Sequence, residues 1–274
     1  MTNQLSEKIL KLKKEKNAII LAHLYQIPEI QEIADYVGDS YYLSQVARDA
    51  KEDLIIFCGV KFMAESAKVL SPEKTVILPA PNAGCPMADM AEVEDVEEMI
   101  EKYPDAFKVC YINSSYEVKA LCDASVTSSS ALKIIKNIPN KQILFLPDQN
   151  LGGYISEFFP EKEFILWRGF CPTHHRITAK DIIKAKEEHP NVKVLSHPEC
   201  SKEVRDLSDY IGSTSGIINY ATECEDKEFI IATEEGVLHQ LKKKNPDKKF
   251  YFPEVMVCPN MKKTSLQDVY DALD

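Results

Sequence analysis

Phe164-Ile165-Leu166-Trp167-Arg168-Gly169-Phe170-Cys171-Pro172 joins a short apolar run to the Cys-Pro pair around which the chain is organised. The same pair stands at Cys85-Pro86 and Cys258-Pro259, so successive copies lie 86 and 87 residues apart. With 8 Cys and 15 Pro in 274 residues, fewer than one such pair is expected by chance. Similar runs precede the other two copies, Val76-Ile77-Leu78 and Phe250-Tyr251-Phe252. Even spacing marks an internal repeat, which takes precedence over any local reading. It predicts three equivalent units, whose three thiols meet if the units pack about a pseudo-threefold axis.

Outward from each pair, apolar runs alternate with helical patterns. In the first unit a strand over 18–22 leads to a helix opened by Pro28, with Ile30, Ile33, Ala34 and Val37 at helical spacing. A strand over 54–57, a helix over 62–70 and the strand before Cys85 follow. The second unit repeats the order with a helix over 93–102 and strands over 108–113 and 143–146. The third has a helix over 179–188 and strands over 192–195 and 229–231. An amphipathic helix over 1–17, with Leu5, Ile9 and Leu12 on one face, opens the chain, and a helix over 263–273 closes it. Continuous apolar runs between helices predict βαβ units whose parallel sheets are covered on both faces. The expected fold is α/β: three pseudo-threefold-related αβα sandwich domains, each with a small parallel sheet of three strands. Their expected spans are 1–84, with the C-terminal helix 259–274 packing on it, 85–170 and 171–258.

The chain is 45% hydrophobic and 28% charged, a balance that marks a globular rather than a disordered protein. No apolar run approaches the roughly 18 residues of a membrane span. The lysine-rich start lacks the apolar core of a signal peptide. A cytoplasmic address is expected, where the eight cysteines stay reduced. A net charge of −10 argues against a nucleic-acid partner. The expected partners are small molecules, with no membrane; the oligomeric state is left open.

Aligning the units by their spacing aligns polar residues as well. His23 to Ser40, Tyr111 to Ser128 and His197 to Thr214 are each 17 residues apart. Two residues beyond each first member stand Tyr25, Asn113 and Glu199. In an extended segment the intervening side chain points away, so each polar-x-polar pair faces one side. Five residues before each hydroxyl is an aspartate, Asp35, Asp123 and Asp209, read as a turn or cap residue. Hydroxyls at a helix start, Ser213 among them, suit anion binding. His174, three residues after Cys171, breaks the symmetry, its counterparts being Ala88 and Met261. Beside a repeated thiol it is a candidate site residue. Cys58, Cys110, Cys122, Cys200 and Cys224 do not repeat in register and read as buried or incidental thiols.

Three thiolates, Cys85, Cys171 and Cys258, suit either of two metals. Catalytic zinc takes three protein ligands and keeps a water. A cubane iron–sulfur cluster takes one thiolate per iron, and three cysteines leave one iron open to substrate. The residues alone do not choose between them.

The chain resembles the quinolinate synthase family almost from end to end. The carriers are His23-x-Tyr25-Gln26, Gly38-Asp39-Ser40, Gly59-Val60-x-Phe62-Met63-Ala64-Glu65, Cys85-Pro86-Met87-Ala88, Tyr111-x-Asn113-Ser114, His197-Pro198-Glu199-Cys200, Gly212-Ser213-Thr214 and Cys258-x-Asn260-Met261-Lys262. The resemblance implies a triangle of three α/β domains around a [4Fe–4S] cluster held by Cys85, Cys171 and Cys258. It implies condensation of iminoaspartate with dihydroxyacetone phosphate to quinolinate, phosphate and water. Tyr25 and Glu199 are then the expected proton-transfer residues, with His23 and His197 oriented on substrate. Ser40, Tyr111, Asn113, Ser128, His174, Ser213 and Thr214 are expected to bind it. Two rival readings are a trefoil iron–sulfur reductase of allylic diphosphates, whose motifs do not match these, and a zinc-stapled scaffold without activity.

Overall fold

The computed structural model describes residues 2–253 and 256–274, with side chains from residue 4 onward. Met1, where the sequence begins its first expected helix, lies outside these residues, as do Glu254 and Val255 of the third unit. The chain forms two compact units, Met1–Cys85 with Cys258–Asp274, and Pro86–Val257.

In the first unit the elements are α1 (Thr2–Glu15), β1 (Ala18–His23), α2 (Pro28–Ile33), β2 (Tyr36–Gly38), α3 (Ser40–Asp49), β3 (Leu54–Cys58), α4 (Lys61–Leu70) and β4 (Thr75–Ile77), completed by the C-terminal helix Leu266–Leu273. The strands form one parallel sheet in the order β2-β1-β3-β4. Alternate residues of β1 and β3 face opposite sides. Ala18, Ile20, Ala22, Ile56 and Cys58 pack with Ile9 of α1, Ile30 and Ile33 of α2, and Leu266, Val269 and Leu273 of the C-terminal helix. Ile19, Leu21, Ile55 and Phe57 are buried on the other side, as are Leu43 and Ala47 of α3 and Phe62, Met63 and Ala67 of α4. Each large apolar side chain so buried contributes about 1.5–3 kcal/mol of transfer free energy.

The second unit carries two further sheets of the same plan. Its elements are α5 (Val93–Lys102), β5 (Phe107–Tyr111), α6 (Tyr116–Ala120), β6 (Ala124–Val126), α7 (Ala131–Ile135), β7 (Gln142–Leu146), α8 (Gln149–Ser156), β8 (Glu163–Leu166), α9 (Pro172–His175), α10 (Ala179–Glu188), β9 (Lys193–Ser196), α11 (Lys202–Arg205), β10 (Tyr210–Ile211), α12 (Thr214–Glu223), β11 (Glu228–Ala232), α13 (Val237–Lys244) and β12 (Lys249–Tyr251). The sheet orders are β6-β5-β7-β8 and β10-β9-β11-β12, all parallel. Among the described residues no helix is long and apolar enough to cross a membrane.

Each sheet thus has four strands where the sequence suggests three. The additional member is the edge strand β2, β6 or β10, only two or three residues long. A segment that short shows no periodicity, and it is held by a repeated device. Asp35, Asp123 and Asp209 each immediately precede that strand and accept a hydrogen bond from a central-strand amide, those of Ile20, Lys108 and Val194, at 2.8 Å. Their own amides donate to the carbonyls of the same three residues. The aspartates therefore clamp strands and do not cap helices. A second repeated anchor precedes the opposite edge strand. Lys74 donates to the carbonyls of Ala47, Arg48 and Ala50, Lys162 to those of Ile138 and Asn140, and Lys248 to those of Ala221 and Cys224. These carbonyls lie at or just beyond the ends of α3, α7 and α12, where a helix leaves acceptors unsatisfied and a cation is favoured.

Lys74, buried at 6% exposure, is the best test of this anchor. Lys74→Met keeps the apolar stem but leaves the α3 carbonyls without their donor. We expect a loss of about 1–3 kcal/mol, read as a lower urea midpoint at unchanged slope.

Candidate functional site

In an open parallel sheet, ligands bind beyond the carboxyl ends of the strands where the strand order reverses. In all three sheets that point lies between the two central strands. The loops leaving β1 and β3, β5 and β7, and β9 and β11 are therefore where polar side chains can gather. The repeated polar-x-polar pairs occupy the first loop of each set.

In the first unit His23 ends β1 at 4% exposure, and its Nδ1 accepts the Tyr25 amide at 3.1 Å. The two rings meet edge to face with centroids 4.6 Å apart. Lys262 Nζ donates to the Tyr25 carbonyl and Gln26 Nε2 to the Met261 carbonyl, both at 2.7 Å, which fixes the loop after Cys258 against the loop after β1. Ser40 is the first residue of α3, whose N-cap Asp39 accepts from the Tyr42 amide. Cys85 and Cys258 are half-buried thiols.

The second unit holds a denser group. His197, just past β9, repeats the geometry of His23: its Nδ1 accepts the Glu199 amide at 3.3 Å. In both histidines an Nδ1 that accepts an amide leaves the proton of a neutral ring on Nε2. Glu199 is 3% exposed and accepts from Tyr111 Oη at 2.7 Å through Oε1. Its Oε2 lies 2.8 Å from His174 Nδ1 and 3.8 Å from His197 Nδ1. His174 Nδ1 is also 3.2 Å from Cys171 Sγ, and its Nε2 is 2.9 Å from Thr233 Oγ1 at the end of β11. The symmetry-breaking His174 thus stands at the centre of this group, 1% exposed.

Asn113 and Ser128 are half-buried, while Ser213 and Thr214 are buried. Thr214 opens α12 as Ser40 opens α3, but Ser213 uses its oxygen to cap α12 by accepting from the Gly216 amide. Ser128 departs from the repeat. It lies in a turn before the five-residue α7, because Thr127, Ser129 and Ser130 hydrogen-bond among themselves and delay the helix.

Further supporting residues, outside the aligned polar set, escaped the sequence reading. Asp148, fully buried, caps α8 by accepting from the amides of Asn150 and Leu151. Gln149 donates to the Gly169 carbonyl at 2.8 Å. A Cβ on Gly169 would lie 2.4 Å from the Pro147 carbonyl, so this close approach of the Cys171 loop requires glycine. Asn150 Nδ2 donates to the Glu199 carbonyl. Arg205, 5% exposed, donates to the carbonyls of Asn150, Pro198 and Cys200. One loop after β7 therefore positions both Cys171 and Glu199. Its only sequence signal is a Pro-Asp-x-Asn string after an apolar run.

Burial alone would raise the Glu199 carboxyl, but His197 and His174 beside it, with hydrogen bonds from His174 and Tyr111, hold it below its ordinary range. Burial draws the His197 imidazole down to about 4; the Glu199 charge opposes this and His174 adds to it. At neutral pH the pair is carboxylate and neutral imidazole. Burial, then the Glu199 charge, push Asp148 well above the usual carboxylate range, outweighing its backbone hydrogen bonds. Two nearby carboxyl groups are thus shifted in opposite directions.

The eight cysteines are all thiols and divide by setting. Cys58 and Cys200 are buried, and burial raises both. Cys110 and Cys122 hydrogen-bond to each other, which lowers the first and raises the second. Cys224 donates to Asp226 at 2.9 Å. Cys85, Cys171 and Cys258 each occupy the same half-buried place after the last strand of a sheet. As a donor set, three soft sulfurs in repeated loops fit an iron–sulfur cluster with one iron left open.

The His197 shift fixes a pH dependence. Between about 6.5 and about 4 the unfolded chain binds a proton on this residue that the folded chain does not, so stability falls as pH falls through that window. The loss approaches roughly 3 kcal/mol. Glu199, depressed when folded, loses its contribution only at lower pH, as its folded carboxyl protonates. We expect His197→Gln to flatten the stability slope between pH 6.5 and 4, measured by urea unfolding at stepped pH.

The profile of the family described as Quinolinate synthetase A protein matches residues 7–274. A protein of Clostridioides difficile (strain 630) named quinolinate synthase is 62% identical over 274 residues, all of this chain and 90% of its own length. One of the same name from Clostridium perfringens (strain SM101 / Type A) is 63% identical over 268 residues, covering 97% of this chain and 89% of the relative. A third, from Caldicellulosiruptor saccharolyticus, is 58% identical over 271 residues, covering 98% and 89%. Matched by that profile over residues 7–274 and 62% identical over its full length to a protein named quinolinate synthase, the chain belongs to the quinolinate synthetase A protein family.

Proposed function

We propose that this chain condenses iminoaspartate with dihydroxyacetone phosphate, releasing phosphate and water to give quinolinate, a precursor of NAD, in the cytoplasm. The observation that carries the reading is the ionised, desolvated Glu199 held between Tyr111 and His174 beside a neutral His197. Dehydration needs a base for a carbon-bound proton and a donor for the departing hydroxyl. A buried carboxylate whose two oxygens are fixed by hydrogen bonds is preorganised for the first task. Tyr25, whose phenol can donate, is assigned the second. His23 and His197, each accepting an amide at Nδ1, are assigned to orient substrate oxygens through Nε2.

Two carboxylates and a phosphate require several further donors. Ser40 and Thr214 open the ten-residue helices α3 and α12, whose first amides favour anions. Tyr111, Asn113, Ser128, His174 and Ser213 complete the assigned set. Cys85, Cys171 and Cys258 would hold a [4Fe–4S] cluster, which supplies a Lewis-acidic iron when bound.

The test is anaerobic turnover of both substrates, following quinolinate, at matched iron content. Tyr25→Phe should keep its iron and lose at least about 100-fold in rate. Cys171→Ser should lose iron and sulfide, whereas Cys224→Ser should keep both. Wild-type protein with a full iron load that makes no quinolinate overturns the reaction. Undiminished turnover in Tyr25→Phe overturns the role of Tyr25 alone.

A further inference from the structure

We propose that Cys171, His174 and Glu199 form a binding site for a single divalent cation of the zinc class when the protein carries no cluster. One ligand atom from each, a sulfur, an imidazole nitrogen and a carboxylate oxygen, lie within 4.8 Å of one another. All three residues belong to the second unit. Cys171 is the N-cap of α9 and His174 its third residue, so the three-residue spacing puts thiol and ring on one side. Glu199 reaches the same point from the loop after β9.

The chemistry of the set is that of a catalytic zinc site, with three mixed N, O and S ligands and a fourth position for water. Bonds of about 2.0–2.3 Å at tetrahedral angles place ligand atoms roughly 3.3–3.6 Å apart. Here Nδ1 lies 2.8 Å from the carboxylate oxygen and 3.2 Å from the sulfur, so both gaps need only a small opening. The cation would take the place of the proton now joining Nδ1 to Oε2; that proton would move to Nε2, which then donates to Thr233 Oγ1, and the Cys171 thiol proton would pass to solvent.

A second, independent feature is the supporting layer. Metal-bound imidazoles usually hydrogen-bond through their other nitrogen, and metal-bound carboxylates are themselves hydrogen-bonded. His174 Nε2 meets Thr233 Oγ1 at 2.9 Å, and Glu199 Oε1 accepts from Tyr111 at 2.7 Å. Both partners leave Nδ1 and Oε2 for the cation. Such occupancy removes Glu199 as a base. Where Cys171 is also a cluster thiolate, which rests on the reading above, cation and cluster exclude each other.

The experiment uses the full chain, stripped of metal with a chelator under reducing conditions and titrated with Co2+, then with Zn2+ in competition. One Co2+ per chain is expected, with the visible bands of a tetrahedral ion and a sulfur charge-transfer band, and Zn2+ should displace it. Cys171→Ser should abolish the charge-transfer band. It and His174→Gln should each weaken binding by at least about 100-fold, since even supporting residues of metal sites cost 10–100-fold. Cys85→Ser and Cys258→Ser should bind as wild type does. Circular dichroism checks the fold of each variant, and His174→Gln carries the test if Cys171→Ser does not fold. Octahedral bands without charge transfer, wild-type affinity in His174→Gln, or loss of binding in Cys85→Ser would overturn the site. Preloading with Zn2+ should block reconstitution with iron and sulfide. If Cys171→Ser binds Co2+ weakly yet takes a full cluster, exclusivity falls with the cluster assignment while the cation site stands.

Discussion

A parallel strand covered by helices on both faces has no place for a polar side chain until it passes its carboxyl end. Ala18, Ile20, Leu21 and Ala22 obey this in β1, and His23 is the first residue released from it. Tyr111 ends β5 and His197 follows β9 at the corresponding place, beyond the buried Val109 and Cys110 and the buried Val194 and Leu195. Strand order then decides which ends matter. Because each sheet places its first and third strands at the centre, the loops leaving those two strands lie side by side. The Asp and Lys anchors before the edge strands keep that order with only two to four residues of pairing. Burial of the sheet and location of the chemistry are one constraint seen at two levels.

Desolvation does the remaining tuning. Glu199, Asp148 and His197 are all nearly inaccessible, yet their charges differ because their partners differ. Glu199 receives a phenol and an imidazole through its side-chain oxygens and stays ionised. Asp148, fully buried, accepts backbone amides at Oδ1 but faces the Glu199 charge and is pushed well above the usual carboxylate range. His197 receives an amide at Nδ1 and remains neutral. A group meant to give or take a proton at a fixed place benefits from such prior arrangement, since little reorganisation remains for the reaction itself.

Much of this was legible in the chain. The Cys-Pro spacing revealed the repeat, continuous apolar runs revealed parallel sheets, and the 17-residue interval located the polar loops. What escaped notice has physical reasons. β2, β6 and β10 are too short to show a period. Asp35, Asp123 and Asp209 have the composition of turn residues, and nothing local distinguishes clamping a strand amide from capping a helix. Three hydroxyls at 127, 129 and 130 pull Ser128 away from the helix start that its spacing implied. Asn150, Thr233 and Arg205 act through contacts between residues 49 to 59 positions apart, which a repeat cannot signal because the copies do not share them.

The repeat is a scaffold whose copies have diverged where they meet chemistry. At the first polar position the three copies carry His23, Tyr111 and His197; at the second, Tyr25, Asn113 and Glu199. Two residues past the third strand they carry Val60, Asp148 and Glu234. The backbone device survives this change: the amide of the second polar residue caps the imidazole of the first in both copies that have histidine. In the copy with tyrosine, the phenol instead reaches across to the carboxylate of the following copy. Equal loops would carry equal donors at every strand end, which suits a symmetric ligand. A molecule with distinct ends needs an acid, a base and an anchor in different places. Conserving the strand-end geometry while exchanging its side chains supplies that difference at no cost to the core.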